Sequence, residues 1–339
     1  MSRRSLAHLL FVAQLAVACG GKEDAPAAGS AGSAASGGDA GGGGVAAAGG
    51  AAGQAGTGGA SVSAPEPQGC ITDVGAGKHV WDCDGLKYDA NVPKTCLAHA
   101  CGLIFDVHGF SMSGAMEEAN TKLQERGAER GYVVVQPNAV PGPPLASWTP
   151  GTDDAKVFAV LETVAEVFHI DPDRIHFTGF SQGGAMTWRM LCNHADVLAS
   201  VGPGAEADCF TGGAEPSREV PIVFLAGTKD ALVNFDSISV PQRDAVVAAW
   251  SMGKGKQIAG GSDWKRTRYT SPEGTVFEFV QHDWAAGSCL IPIVGHCFPG
   301  SDDPGKVMGQ ACSFACIPPN AFTWGEELLD FFDAHPRGK

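Results

Sequence analysis

The stretch Ile175-His176-Phe177-Thr178-Gly179-Phe180-Ser181-Gln182-Gly183-Gly184-Ala185-Met186 joins a short apolar run to a helix-favouring segment that continues to Leu191. Between them the chain turns within a few residues, and a serine sits with glycine two positions before it and two after. That spacing has a steric meaning. A strand that passes directly into a helix forces strained dihedrals on the residue at the apex, and side chains two residues either side would collide with the strand or the helix. The serine also stands at a helix N-terminus, where unpaired amides and the helix dipole favour negative charge. G-x-S-x-G occurs once in the chain, at the end of an apolar strand and far from its glycine-rich region.

Working outward, apolar runs bounded by turn residues recur at Leu103 to Val107, Tyr132 to Gln136, Ile175 to Thr178, Ala199 to Val201, Ile222 to Ala226 and Thr275 to Val280. These are expected strands, and their continuous apolarity suits strands buried on both faces. Helical patterns lie between them. Asp153-Asp154 stand as caps before Val157, Val160, Leu161, Val164, Val167 and Phe168 at three- and four-residue spacing. Another helix is expected from Pro241 to Trp250, and a last one from Trp324 to Ala334, stopped at His335-Pro336. Strand alternating with helix specifies an α/β fold, a doubly wound, mostly parallel sheet with helices on both faces.

Residues 69–339 have the size of one such domain. The chain has 339 residues and 47 glycines, and these are densest ahead of that domain. Residues 19–68, rich in Gly, Ala and Ser, have no apolar periodicity and are expected to form a disordered tether. Residues 1–18 carry Arg3 and Arg4, then an apolar run from Leu6 to Ala18 too short to span a bilayer, the pattern of a signal peptide. That run closes on Leu15-Ala16-Val17-Ala18-Cys19, which resembles the lipobox of bacterial lipoproteins, with Ala16 where most have Leu. Cys19 is the expected lipidation site. The chain is therefore expected to be secreted, as an outer-membrane or cell-surface lipoprotein or else extracellular, and to touch membrane only through that lipid.

Of the 11 cysteines, setting Cys19 aside leaves ten, an even number that suits a disulfide framework outside the cytoplasm. Cys96 with Cys101 and Cys192 with Cys209 are candidate short-range pairs. Cys312 and Cys316 have no second close Cys or His pair at a zinc spacing, so no metal is expected. The formal net charge of −14, with no basic cluster to offset it, disfavours nucleic acid as a partner.

A serine hydroxyl needs a histidine base, and the histidine needs a carboxylate to fix its tautomer. Around a G-x-S-x-G turn the chain order is serine, acid, histidine. The run Ile222 to Ala226 leads into Gly227-Thr228-Lys229-Asp230, which makes Asp230 the candidate acid, with Asp236 as its substitute. Two histidines follow the next strand, His282 and His296, and spacing does not separate them. Oxyanion donors are expected from the backbone N–H of Gln182 and, in the loop after Leu103 to Val107, of Phe110, beside Gly109. His108 and Trp148 are candidate substrate-binding residues; the alternatives are a loop-packing role for His108 and a core plug for Trp148. Acyl transfer to water of this kind calls for no cofactor.

Together these segments resemble the feruloyl esterase and polyhydroxybutyrate depolymerase group of secreted α/β-hydrolases. The resemblance lies in His108-Gly109, in Asp153-Asp154 through Ile170-Asp171-Pro172-Asp173-Arg174-Ile175, in Gly179 to Met186 and in Gly227-Thr228-Lys229-Asp230. The group ends its catalytic segment with G-H-x-W-P-G, and Gly295-His296-Cys297-Phe298-Pro299-Gly300 matches it with Phe298 for Trp. The resemblance thereby prefers His296 over His282. It implies an α/β-hydrolase fold and a serine esterase with the catalytic residues Ser181, Asp230 and His296. The implied substrates are hydroxycinnamoyl or acetyl esters of plant polysaccharide, or polyhydroxyalkanoate. Cys297, with Cys289, Cys312 and Cys316 nearby, departs from the pattern and implies a histidine loop pinned by disulfides. A serine peptidase on the same fold is a rival, though many of those carry a cap or propeller domain for which residues 69–339 leave no room. A non-catalytic carbohydrate-binding lipoprotein is the other rival.

Overall fold

In chain order the strands are β1 (Gly77–Cys83), β2 (Leu86–Val92), β3 (Gly102–Val107), β4 (Tyr132–Asn138), β5 (Ile175–Phe180), β6 (Ser200–Gly204), β7 (Ile222–Gly227), β8 (Lys256–Gly260), β9 (Trp264–Thr270) and β10 (Val276–His282). The α-helices are α1 (Gly114–Thr121), α2 (Leu123–Glu129), α3 (Thr152–Val167), α4 (Gln182–His194), α5 (Val240–Ala249) and α6 (Trp324–Ala334). This computed structural model describes residues 61–286, 293–303 and 313–338, all within one compact unit, Ala55–Lys339. The expected signal peptide, Cys19, Cys289 and Cys312 lie outside the described residues. No helix among the described residues is long and apolar enough to cross a membrane.

One ten-stranded sheet runs in the order β1-β2-β4-β3-β5-β6-β7-β10-β9-β8. Its middle, from β4 to β10, is parallel, and hairpins add antiparallel strands at both edges. The apolar strands expected from the sequence are this parallel middle. Each is buried on both faces because successive side chains go to opposite sides. In β3, Leu103, Phe105 and Val107 join one core cluster with α3 and α4, while Ile104 joins the other with α6. The edge strands carry a different pattern. β9 mixes half-buried residues with the exposed Lys265, Arg268 and Thr270, and half-exposed polar strands of this kind give no apolar run to read.

The strand order creates a switch point. From β3 the chain crosses to β4 on one side and then to β5 on the other side of β3. Ligand sites of open α/β sheets lie outside the carboxyl ends of strands at such a point, and here the loops leaving β3 and β5 carry His108 to Phe110 and Ser181 respectively.

Asp153 and Asp154 fall in the first turn of α3, with Gly151 at the cap. Asp154 accepts from the Gly151 N–H at 2.8 Å, and its two oxygens take Arg189 of α4 at 2.7 and 2.9 Å, a paired geometry that ties the serine-bearing helix to its neighbour. The end of the expected tether is also different. Val62 N–H donates to Ala98 O at 3.0 Å, Ser63 Oγ meets His169 Nε2 at 2.9 Å and Gln68 Nε2 donates to Glu166 at 2.8 Å, so residues 61–68 lie bound along the domain. These residues carry no apolar periodicity, and their partners at Ala98, Glu166 and His169 are distant in sequence, while Gln68 also pairs locally with Ile71 through its backbone.

Disulfides join Cys70 to Cys83, Cys96 to Cys101, Cys192 to Cys209 and Cys297 to Cys316. Both short-range pairs expected from the sequence are among them, and so is a bond within the histidine loop.

Under α1 the sheet buries two carboxyl groups. Asp106 of β3 and Glu117 of α1 are closed to solvent. Asp106 Oδ2 accepts from Thr121 Oγ1 at 3.0 Å and Gln136 Nε2 at 2.8 Å, while Asp106 Oδ1 and Glu117 Oε2 have no donor unless the two carboxyls share a proton. Burial pushes Asp106 up to about 7 despite its hydrogen bonds, with Glu118 adding to the rise, and burial plus the Asp106 charge hold Glu117 well above the ordinary range. Raised folded-state values mean that the folded chain binds more protons than the unfolded chain between about pH 4 and pH 7. These groups therefore make stability fall as pH rises through that window, by roughly 1 kcal/mol per pH unit for each group that titrates. Urea unfolding across pH 4 to 8, wild type against the double variant Asp106→Asn with Glu117→Gln, should show this slope in the wild type and a flatter one in the variant. Identical slopes would contradict the raised values of these two carboxyl groups.

Candidate active site

Ser181 has φ 55° and ψ −119°, a left-handed conformation that a non-glycine residue adopts only under constraint. The constraint is close backbone approach. A Cβ on Gly183 would lie 1.8 Å from the Val107 carbonyl oxygen, and one on Gly179 2.6 Å from the same atom. A Cβ on Gly184 would lie 2.2 Å from Gly204 O, and Ser181 N–H donates to that oxygen at 2.8 Å. The start of α4 is thus seated on the ends of β3 and β6. Ser181 keeps partial exposure at the N-cap of α4, as does Gln182, whose N–H lies in the first turn and has no partner within the helix.

Asp230 follows β7 and His296 follows β10, adjacent parallel strands. His296 Nδ1–H donates to Asp230 Oδ2 at 2.7 Å, and both side chains are 1% exposed. The other carboxylate oxygen accepts from the N–H groups of Leu232 and Val233, each at 2.8 Å, so the carboxylate is fully engaged. The two loops touch backbone to backbone. A Cβ on Gly295, at φ +76°, would lie 2.3 Å from the Lys229 carbonyl carbon, and one on Gly227 2.0 Å from Gly295 O. Glycine before His296 is what lets the histidine loop close on the acid loop. The His296 ring packs on Phe180, the neighbour of Ser181, at 4.8 Å between centroids, and Phe298 packs on Phe180 at 4.0 Å. The Cys297–Cys316 disulfide holds this loop from outside.

His282, the alternative base, ends β10 and stacks on Trp284. Its Nδ1 is buried without a hydrogen bond, and burial pushes it down to about 4. Asp230 thus bonds His296 and not His282. His282 also lies close to Cys297 and Cys316, but those sulfurs are joined to each other and offer no thiolate to a metal.

Gly109 follows β3 and packs against the serine, since a Cβ there would lie 3.0 Å from Ser181 Cβ and 3.2 Å from Phe180 O. Phe110, next in the chain, is half-buried. His108 and Trp148, expected at the substrate, spend their polar atoms inside the protein instead. His108 is 0% exposed; its Nδ1 meets Gly109 O at 2.7 Å and its Nε2 meets Ala139 N–H at 3.1 Å. Trp148 is 5% exposed, and its indole N–H donates to His108 O at 2.8 Å. Gln182 has a side-chain role that its motif position does not reveal: Oε1 accepts from Trp148 N–H at 3.1 Å. Apart from the bond between His108 and its neighbour Gly109, these links join loops distant in sequence, and no local pattern marks them.

A parallel sheet flanked by helices, a strained serine after β5, an acid after β7 and a histidine after the next strand in the sheet define the α/β-hydrolase fold. No protein-family model matches the chain. It is 28% identical over 144 residues to the bifunctional acetylxylan esterase/xylanase XynS20E of Neocallimastix patriciarum, a match covering 42% of this chain and 21% of that protein. It is 25% identical over 236 residues to a protein of Aspergillus niger named probable feruloyl esterase C, covering 66% of this chain and 84% of that one. Among solved structures, an acetyl xylan esterase from Aspergillus awamori superposes with a TM-score of 0.49 at 12% identity, over 73% of this chain and 94% of that one. The chain thus spans about a fifth of the length of the first of these relatives, 21%, and its fold is that of the α/β-hydrolases.

Proposed function

We propose that the chain is a serine carboxylic-ester hydrolase that works through an acyl-serine intermediate. The observation that carries this reading is the buried Asp230–His296 hydrogen bond of 2.7 Å in a loop packed beside the strained serine turn. Asp230 holds the Nδ1–H tautomer of His296, which leaves Nε2 as the base. His296 takes the proton of Ser181 Oγ as that oxygen bonds to the ester carbonyl carbon, and the carbonyl oxygen becomes an oxyanion facing the N–H groups of Gln182 and Phe110. Collapse breaks the ester C–O bond, and His296 returns the proton to the departing alcohol. Water, deprotonated by the same histidine, then attacks the acyl carbon; the bond from that carbon to Ser181 Oγ breaks, His296 returns the proton to Oγ, and the acid leaves.

Relatives named for acetylxylan and feruloyl esters support substrates of that class, acetyl or hydroxycinnamoyl esters of plant polysaccharide. A polyhydroxyalkanoate is the further candidate from the sequence motifs. Disulfides support an extracytoplasmic setting, and lipid attachment at Cys19 is the proposed anchor.

Ser181→Ala should abolish hydrolysis of a nitrophenyl acyl ester while leaving the folded protein intact by circular dichroism; near-full activity in that variant would overturn the assignment. His296→Ala should lower kcat by about 10³-fold or more, whereas His282→Ala should stay within about tenfold of wild type, a margin inside the range general acid–base catalysis contributes. The reverse order would make His282 the base.

A further inference from the structure

We infer that His108 is a positioning residue for the oxyanion hole: its imidazole locks the Gly109–Phe110 peptide so that the Phe110 N–H faces the reacting carbonyl oxygen. This rests on the acyl-serine reading above, and it replaces substrate contact as the role of His108.

Hydrogen-bond geometry assigns the ring's protons. Ala139 N–H can only donate, so His108 Nε2, 3.1 Å away, is an acceptor. A neutral ring then carries its proton on Nδ1, which donates to Gly109 O at 2.7 Å. Complete burial supports the neutral form, pushing the imidazole down to about 4. The bonded carbonyl is one end of a peptide whose other end is the Phe110 N–H. In a trans peptide these two point in opposite directions, so fixing the oxygen toward His108 fixes the N–H away from it. Gly109 lies on the serine, 3.0 Å from a Cβ built there to Ser181 Cβ, so the plane being fixed is the one beside the reacting atoms.

Two further contacts hold this arrangement. Met112 N–H also donates to Gly109 O, at 3.2 Å, as part of the turn that follows. Trp148 covers the ring at 4.8 Å between centroids and donates its indole N–H to His108 O, while its backbone N–H donates to the Gln182 side chain. The residue supplying the first proposed donor amide is thereby coupled, through Trp148 and His108, to the peptide supplying the second.

The test separates the two ends of the ring. Asn at position 108 keeps a donor near the Nδ1 position and Gln keeps an acceptor near the Nε2 position, while Phe removes both at similar volume. Activity on a nitrophenyl acyl ester is measured per active serine, counted by end-point fluorophosphonate titration, so that loss of folded protein does not register. His108→Phe should lower kcat by about 10²-fold, the scale of losing one oxyanion donor, with KM within about threefold and an unchanged pH profile. Inhibition by an alkyl boronic acid, which mimics the tetrahedral oxyanion, should weaken in parallel. His108→Asn should recover at least about tenfold of the loss and His108→Gln should not. If His108→Phe fails to fold, the comparison of Asn with Gln decides alone. Equal kcat for Asn and Gln, or a Phe variant within twofold of wild type, would overturn the inference. A wild-type protein that turns over no ester and takes no fluorophosphonate would instead overturn the acyl-serine reading on which it rests.

Discussion

Backbone presses against backbone where α4 meets the ends of β3 and β6, and the geometry of the site depends on that approach. Val107 O, Gly204 O and the peptides of Gly179, Gly183 and Gly184 occupy space that side chains would otherwise fill; the tightest approach would put a Cβ 1.8 Å from a carbonyl oxygen. With those side chains absent, the strand passes straight into the helix and leaves Ser181 at φ 55°. The strain is sustained because rigid elements surround it: a fully buried β5, a helix tied through Arg189 to Asp154, and the Ser181 N–H bonded to Gly204 O. A looser turn would relax the serine into an ordinary conformation and aim its hydroxyl elsewhere.

The same logic recurs on the acid and base side. Gly227 and Gly295 let the loops after β7 and β10 press together, which brings a carboxylate and an imidazole into a buried hydrogen bond without a long connecting element. Disulfide Cys297–Cys316 and the Phe180–Phe298 contact hold the histidine loop against the strand that carries the serine. The site is therefore an assembly of strand ends, each positioned by the register of the parallel sheet, with glycine wherever two backbones meet.

What could be read from the sequence follows from how local its physical cause is. The strands of the parallel middle are continuous apolar runs, and the serine turn is a contiguous pattern with a steric meaning, so both were legible. Asp230 was legible as the first acid after an apolar strand. His296 was not separable from His282 by spacing, because what separates them is which one Asp230 can reach, and that depends on Gly295 folding onto Lys229. The edge hairpins were missed because half-exposed strands such as β9, with its Lys and Arg residues, carry no apolar run. A loop-packing His108 and a core-plug Trp148 were open as alternatives, and the Gln182 side-chain role was not visible; the bonds that decide them reach far along the chain, 31 residues for His108 to Ala139 and 34 for Gln182 to Trp148, and only the His108 bond to Gly109 is local.

The central claim is that Ser181, strained at the head of α4 and served by the Asp230–His296 pair, is a nucleophile. Intact-mass analysis after treatment with a fluorophosphonate, followed by peptide mapping, tests it directly. A single adduct on the peptide containing Ser181, absent from Ser181→Ala and greatly slowed in His296→Ala, is the predicted result. No adduct on the folded protein, or an adduct on another residue that persists in Ser181→Ala, would contradict it.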